Sequence, residues 1–201
     1  EKYFPDYYYL ERRVGTFEGV NGKSIEMRLM DLTYFSGDYA AYRTHAYNRP
    51  AMAYYYLQDA LGDSLFKVGL NAYIKIWNGR HPTPYDFFNS FMYGTGQKLD
   101  WFFKPWFYDR SYADLAIRKI TMDNKIVIEN IGGLPLPVVI SCEYEDGTLE
   151  IYTENTAIWS SGEQAMVFQV NGRKKIRKVI LGTDRIPDIN ESNNVLHPVY
   201  E

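Results

Sequence analysis

The 201-residue chain is 46% hydrophobic and 23% charged, a composition typical of folded globular proteins with one or two domains. Its formal net charge of -3 does not favour a nucleic-acid or membrane partner, and no apolar run reaches the roughly 18 residues of a membrane-spanning helix. The single cysteine, Cys142, excludes an internal disulfide, and its apolar surroundings predict a small buried side chain.

The first half of the chain has the periodicity of helices. Residues 3–9 and 24–35 are both compatible with helices, although their patterns are less clear than those that follow. Residues 50–61 are apolar almost all round, which is typical of a helix with neighbours on every side. Asp63 or Ser64 can cap a next helix, whose apolar side chains fall on one face.

Two further helices follow. The run Thr83-Pro84-Tyr85-Asp86 has the pattern of a capping box with proline in the first turn, and Gly94 and Gly96 are expected to stop this helix. Asp100 can cap an aromatic helix over residues 101–107.

The period changes from helix to strand near residue 114. Strands are predicted at residues 115–120, 125–130, 136–144, 149–152, 165–170 and 175–181. About seven short strands in so short a segment indicate an antiparallel β-sandwich of immunoglobulin-like size. The predicted fold class is therefore α+β, with a helical domain over residues 1–113 and a β-sandwich over residues 114–201.

The usual sequence signals of catalysis are absent. None of the three histidines forms a pair with the spacing of a helical zinc site, and the HExxH, CxxC, GxSxG and P-loop motifs do not occur. The acidic and Asn-rich run at residues 188–194 resembles a calcium loop but lacks the glycine and glutamate that an EF-hand needs. A plain Asx-rich turn is the alternative there.

Three motifs follow one another between residues 42 and 115. The first is Tyr47-Asn48-Arg49-Pro50, which leads into an apolar helix ending in Leu61-Gly62. The second is the segment at residues 62–73 followed by residues 82–88, which looks like a pair of helices, and the third is Leu99-Asp100-Trp101-Phe102-Phe103 with Trp106. In this order and at these spacings the motifs resemble the aminopeptidase N-like zinc metallopeptidases, a gluzincin family.

The resemblance implies that the chain is the C-terminal part of such an enzyme, namely the end of a thermolysin-like catalytic domain followed by a β-sandwich. The family's HExxH helix and its downstream Glu ligand, which bind zinc and supply the general base, would lie before residue 1. Zinc is therefore expected in the full-length parent and not in this fragment, which would be inactive alone. The implied partners are the upstream segment and a peptide substrate.

The resemblance also implies roles for two tyrosines. Tyr47 matches the family tyrosine whose phenol donates a hydrogen bond to the oxyanion of the tetrahedral intermediate. Such a donor in a dry site commonly contributes roughly 3–4 kcal/mol of transition-state stabilisation. Tyr42 matches a second tyrosine that some members place near the pocket, and it is expected to bind substrate.

The chain departs from the family at the two residues after Asn48. Members usually carry Lys-Gly or similar there, whereas this chain has Arg49-Pro50. Pro50 suits a first helical turn. Arg49 is expected to pair with a carboxylate or to cap a neighbouring helix end.

A second hypothesis belongs to a different class, a module that binds a protein or a glycan and does no chemistry. Tyr47 would then be one of 19 tyrosines at a helix start. In either case Trp101, Phe102 and Trp106 are expected in the core, and His45 is expected to be exposed or hydrogen-bonded.

Overall fold

The computed structural model describes residues 13–198 and shows helices followed by strands. The helices are α1 (residues 13–18), α2 (Tyr39–Arg43), α3 (Arg49–Trp77), α4 (Pro84–Thr95) and α5 (Asp100–Phe103). The helix predicted at residues 3–9 lies outside the described residues.

The helix predicted at residues 24–35 is wrong. The segment consists of turns and irregular backbone with one 3-10 turn at Thr33–Phe35. Its backbone bonds to other parts of the chain instead: the N–H of Met27 donates to His45 Nε2 at 2.6 Å and that of Met30 to the carbonyl of Phe107 at 3.1 Å. These tertiary bonds replace the i to i+4 bonds of a helix.

Helix α3 combines the two helices that were predicted on either side of Gly62. Gly62 has φ 71° and ψ 158°, so the helix breaks there, and glycine adopts this conformation without the steric cost of a Cβ. The first part is not buried on every side among the described residues, because Tyr55 is 44% exposed. The buried face instead consists of Met52, Ala53, Tyr56 and Leu57.

The predicted start of α4 is confirmed, and of the two glycines predicted to stop this helix only Gly96 does so. Thr83 Oγ1 accepts from the N–H of Asp86, and the N–H of Thr83 donates to Asp86 Oδ2 at 2.8 Å, which completes the capping box. Gly96 ends the helix in the left-handed conformation. Gly94 lies within the helix because α4 and α3 approach closely there: an added Cβ would lie 2.4 Å from the Cβ of Ala72.

Helix α5 begins differently from the prediction. Leu99 is the residue before its first turn, and the side chain of Asp100 makes no capping bond because Asp100 already lies inside the helix. The helix continues into a π-helical turn at Lys104–Tyr108. Phe102 and Trp106 are fully buried, as expected for core residues.

Seven strands form the second part of the chain. They are β1 (Leu115–Ile120), β2 (Lys125–Asn130), β3 (Val138–Tyr144), β4 (Leu149–Glu154), β5 (Ala165–Gln169), β6 (Ile176–Leu181) and β7 (Val195–Leu196). All their pairings are antiparallel, in a three-stranded sheet of order β1-β2-β5 and a four-stranded sheet of order β4-β3-β6-β7.

This strand order is immunoglobulin-like. The first, second and fifth strands share one sheet, and the third, sixth and seventh share the other, as in that fold. The fourth strand pairs with the third and not with the fifth. Cys142 on β3 is buried, and burial raises the pKa of its thiol to about 11, so it behaves as the small apolar side chain that was predicted.

One continuous core joins the helices to the sandwich. Polar contacts cross the same junction: Tyr56 donates to the carbonyl of Arg185 at 2.6 Å, and Trp106 Nε1 donates to the carbonyl of Pro135 at 3.2 Å. The α+β fold class, a helical part followed by a β-sandwich, is confirmed. The division into domains at residues 113 and 114 stays a prediction.

None of the helices in the described part of the chain is both long and apolar enough to cross a membrane.

Candidate functional site

The backbone around Tyr47 has an unusual conformation. Asp38 caps α2 by accepting from the N–H of Ala41 at 2.9 Å, and the helix then widens into a π-helical turn at Thr44–Asn48. The N–H of Arg49 bonds to the carbonyl of Thr44, five residues earlier, before α3 begins. Such wide turns inside helices occur frequently at functional sites.

This turn separates buried side chains from an exposed one. Thr44, His45 and Asn48 are buried, whereas Tyr47 is 55% exposed. A rigid, buried backbone therefore carries a tyrosine that reaches solvent.

The structure brings the two predicted site residues together. The rings of Tyr42 and Tyr47 meet edge to face, with centroids 6.3 Å apart and planes at 84°. A hydrogen-bonding interaction with Tyr47 raises the pKa of Tyr42 above its usual value of about 10.

His45 fixes the inner side of the same turn. Its Nε2 lies against the backbone of Met27, 2.6 Å from the N–H nitrogen and also in contact with the carbonyl oxygen, and its Nδ1 lies 2.7 Å from the carbonyl oxygen of Ala41. Both ring nitrogens therefore support the backbone around Tyr47, in agreement with the expectation of a hydrogen-bonded imidazole.

Arg49 is fully buried and fulfils both expectations for it. Its Nη1 pairs with Glu26 Oε1, and Nε and Nη2 donate to the carbonyls of Trp106 at 3.2 Å and Ser111 at 3.1 Å. Burial raises the pKa of Glu26 and lowers that of Arg49, and the ion pair opposes both shifts. The guanidinium also lies over the rings of Phe17 and Trp106.

Two cavities lie on either side of this turn. One of about 460 Å³ is lined by Arg13, Tyr39, Arg43, Tyr47 and Asn48, together with Thr16 and Ala40. We call it the basic cavity. A second cavity of about 430 Å³ is mostly apolar and is lined by Tyr42, His45, side chains of α3 and α4, and the loop at residues 27–36, which includes Arg28 and Asp31. Tyr47 lines the basic cavity and Tyr42 lines the second one.

Sequence reasoning missed the residues that surround Tyr47 in the basic cavity. Tyr39, Arg43 and Tyr47 recur every four residues, which is the spacing of side chains on one helical face. That spacing could have identified Arg43. The participation of Arg13 could not have been found, because it comes from a distant helix.

The described residues contain no group of three or more His, Cys, Asp or Glu side chains arranged to hold a metal ion. In the run at residues 188–194, Asp188 Oδ1 accepts from the N–H of Asn190 at 2.8 Å, which is the geometry of an Asx turn.

The sequence matches no family model and no curated protein. The structure is similar to a crystal structure of Legionella pneumophila aminopeptidase A in complex with aspartic acid, with a TM-score of 0.54 and 16% identity. The match covers 90% of this chain and 22% of that one, so this chain spans about a fifth of the other protein. At this identity the likeness supports an aminopeptidase-like fold and nothing finer.

Proposed function

We propose that this chain is the C-terminal part of a zinc-dependent, aminopeptidase N-like metallopeptidase, in which Tyr47 stabilises the transition state. The fold likeness to an aminopeptidase supports the class of protein. The observation that carries the proposal is the placement of Tyr47: an exposed phenol on a π-helical turn in which Thr44, His45 and Asn48 are buried.

The immediate surroundings of Tyr47 suit a hydrogen-bond donor. In this proposal Tyr42 donates its hydroxyl proton to the oxygen of Tyr47, and Tyr47 donates its own proton to the developing oxyanion. Chains of hydrogen bonds polarise one another, so a donor that itself accepts a bond is strengthened. We propose that Tyr42 supports Tyr47 in this way and contacts the substrate from the wall of the apolar cavity.

The zinc belongs elsewhere in this proposal. His45 uses both nitrogens in bonds to Met27 and Ala41, and Cys142 is buried within the sandwich, so neither is free to bind a metal. When bound in the parent, zinc would polarise the scissile carbonyl and activate water. The present chain would contribute the oxyanion donor, the packing around it and the sandwich.

The direct test is Tyr47→Phe in the full-length parent. Loss of one oxyanion donor is expected to lower kcat by about 10²–10³ without changing zinc content. Tyr93→Phe is the matched control, because Tyr93 is an exposed tyrosine on α4 that does not line the cavity. A wild-type rate for Tyr47→Phe would exclude Tyr47 from the mechanism.

A second test uses the 201-residue chain alone. After dialysis it should not retain stoichiometric zinc, and it should not hydrolyse aminoacyl reporter substrates. Hydrolysis by this chain would show that the metal site has been assigned to the wrong segment.

The alternative, a non-catalytic module that binds a protein or glycan, is favoured by one observation. Tyr34, Phe35 and Tyr39 are large and highly exposed, and exposed apolar patches often mark interaction sites. The full-length parent separates the two proposals: an HExxH motif with a Glu roughly 20 residues later, together with bound zinc, supports the peptidase. A complete chain without that motif supports the module.

A further inference from the structure

We propose that the basic cavity beside Tyr47 is a carboxylate-binding subsite, and that its ligand is the acidic side chain of a peptide. The inference deepens the proposed peptidase function and rests on it for the identity of the ligand. The binding chemistry itself depends only on residues of this chain.

The first observation is the charge of the cavity lining. Arg13 and Arg43 both face the space of about 460 Å³, and no acidic side chain of residues 13–198 lines it. A volume of this order is typical of ligand pockets. Arg43 is exposed and makes no ion pair with a carboxylate within the described residues, so its charge is available to a ligand.

The second observation is a buried hydrogen-bond donor without an acceptor. Asn48 is only 6% exposed, and its Oδ1 accepts from Arg13 Nη1 at 2.9 Å. Because a guanidinium only donates, this bond fixes the orientation of the amide and leaves the Nδ2 group as the unused end. Asn48 Nδ2 has no partner among the described residues. A buried amide in this state is satisfied by an incoming acceptor.

Together these groups define the kind of ligand. The cavity offers the guanidinium of Arg43, an amide donor and the hydroxyls of Tyr39 and Tyr47, and it presents no negative charge from the described residues. The planar guanidinium fork matches the two oxygens of a carboxylate better than any neutral group. In a peptidase that acts beside Tyr47, the nearest source of a carboxylate is an Asp or Glu side chain of the substrate.

Binding can be measured on the 201-residue chain without any hydrolysis. We suggest NMR titration with N-acetyl-aspartic acid α-amide, whose only carboxylate is in its side chain. N-acetyl-asparagine α-amide is the neutral isostere, N-acetyl-alanine carries only a terminal carboxylate, and inorganic phosphate tests for general anion binding. The side-chain carboxylate should bind at least about tenfold more tightly than the neutral isostere, as expected for charge-assisted hydrogen bonds.

Two variants localise the site. Arg43→Gln should weaken the binding of the aspartic acid derivative about tenfold. Asn48→Asp retains an oxygen for Arg13 but removes the free donor and adds repulsion, so it should abolish detectable binding. The matched control is Arg118→Gln, since Arg118 is an exposed arginine on β1 in the sandwich and should leave the affinity unchanged.

Equal affinity for the neutral isostere, or an unchanged affinity in Arg43→Gln, would overturn the proposal. Equal or tighter binding of N-acetyl-alanine or phosphate would overturn the assignment to an acidic side chain. These outcomes are independent of catalysis: if Tyr47→Phe retained full activity in the parent, the proposed function would fail while the titration could still succeed. The reverse combination would leave Tyr47 catalytic and remove the subsite.

Discussion

The cores of the helical part and the β-sandwich consist of different kinds of side chain, and the two parts differ in whether they bury an arginine. The helical core consists largely of aromatic rings around a fully buried Arg49, and its backbone departs twice into π-helical turns. The sandwich core is mainly aliphatic, on antiparallel strands whose register shifts once in the β1–β2 pair and once in the β3–β6 pair, and Arg118 and Arg177 lie at its surface.

The two parts of the molecule therefore differ in how their backbones are stabilised. The strands bury mainly aliphatic side chains, whereas the π-helical turn at Thr44–Asn48 is held by buried hydrogen bonds such as that of His45 to the carbonyl of Ala41. Unusual backbone that is supported by buried polar contacts is commonly found at functional sites. The candidate site lies in the helical part, and the sandwich meets it through the shared core.

The largest expected effect on stability is that of removing the buried charge of Arg49. Arg49→Met leaves Glu26 buried without its cation, and breaking such a pair typically costs about 3–5 kcal/mol of unfolding free energy. Arg118→Met in the sandwich removes an exposed arginine 3.8 Å from Glu129 and should change stability by about 0.5 kcal/mol or less. Urea unfolding of both variants measures the difference.

The double variant Arg49→Met, Glu26→Gln distinguishes the charge from the packing. It should recover a large part of the loss, because no unpaired ion then remains buried. If Arg49→Met were as mild as Arg118→Met, the two parts of the molecule would not differ in the way described.

The second prediction concerns the close contact of α3 with α4. Gly94→Ala places a methyl group 2.4 Å from the Cβ of Ala72, and overpacking of this kind costs about 1–3 kcal/mol. Gly172 in the sandwich has nothing within 4 Å of an added Cβ, so Gly172→Ala should be neutral or slightly stabilising. Thermal and urea unfolding provide the comparison, and equal effects of the two substitutions would contradict it.

The third prediction tests the junction between the two parts. Asp59 on α3 accepts from the N–H of Thr156 at 2.7 Å and from its hydroxyl at 2.8 Å, and Thr156 is fully buried. Asp59→Ala leaves both donors unsatisfied and should cost about 1–3 kcal/mol.

The control for Asp59 is Asp63→Ala, four residues further along α3. Asp63 accepts only an exposed bond from Gln58, so its loss should change stability little. A loss of stability in Asp63→Ala as large as that in Asp59→Ala would show that general helix effects, and not the junction, are being measured.

Local patterns predicted most of the fold. The strands β1 and β2 have the predicted bounds, and the Thr83–Asp86 capping box is present, because both depend on neighbouring residues. The prediction failed where distant contacts decide the structure. Residues 24–35 are not helical because their backbone bonds to His45 and Phe107, and Gly94 is not a helix stop because Ala72 packs against it.

For the candidate site, too, local patterns predicted some residues and distant contacts decided the others. Tyr47 and Tyr42 were predicted from a resemblance in the order of motifs, and the structure places their rings in contact, whereas their roles stay proposals. Arg13 and Asn48 were not singled out, because their bond joins residues 35 positions apart. No local pattern carries that information.

The smallest expected effects are in the pH dependence of stability. This dependence should have one sign for a carboxyl group in the sandwich and the opposite sign for one at the junction with the helical part. In the sandwich, hydrogen bonds from Thr148 lower the pKa of Asp146 to about 2. Its contribution is fully present above the unfolded pKa near 3.8 and is lost as the pH falls from about 4 to about 2. Asp146→Asn should therefore flatten the loss of stability in that range.

At the junction between the helical part and the sandwich, the pH dependence of stability has the opposite sign. Burial raises the pKa of Glu18, with repulsion from Glu191 and Asp188 adding to the shift, so the folded state holds this proton more tightly than the unfolded chain. The contribution of Glu18 is present below its unfolded pKa and is lost as the pH rises through its higher folded pKa. Glu18→Gln keeps an oxygen for the N–H of Asp188, bonded at 3.0 Å in the wild type, and should remove this decline. Urea midpoints measured across the acidic range for both variants should diverge from the wild type in opposite directions, and a common direction would mean that burial does not raise the pKa of Glu18 in the folded state.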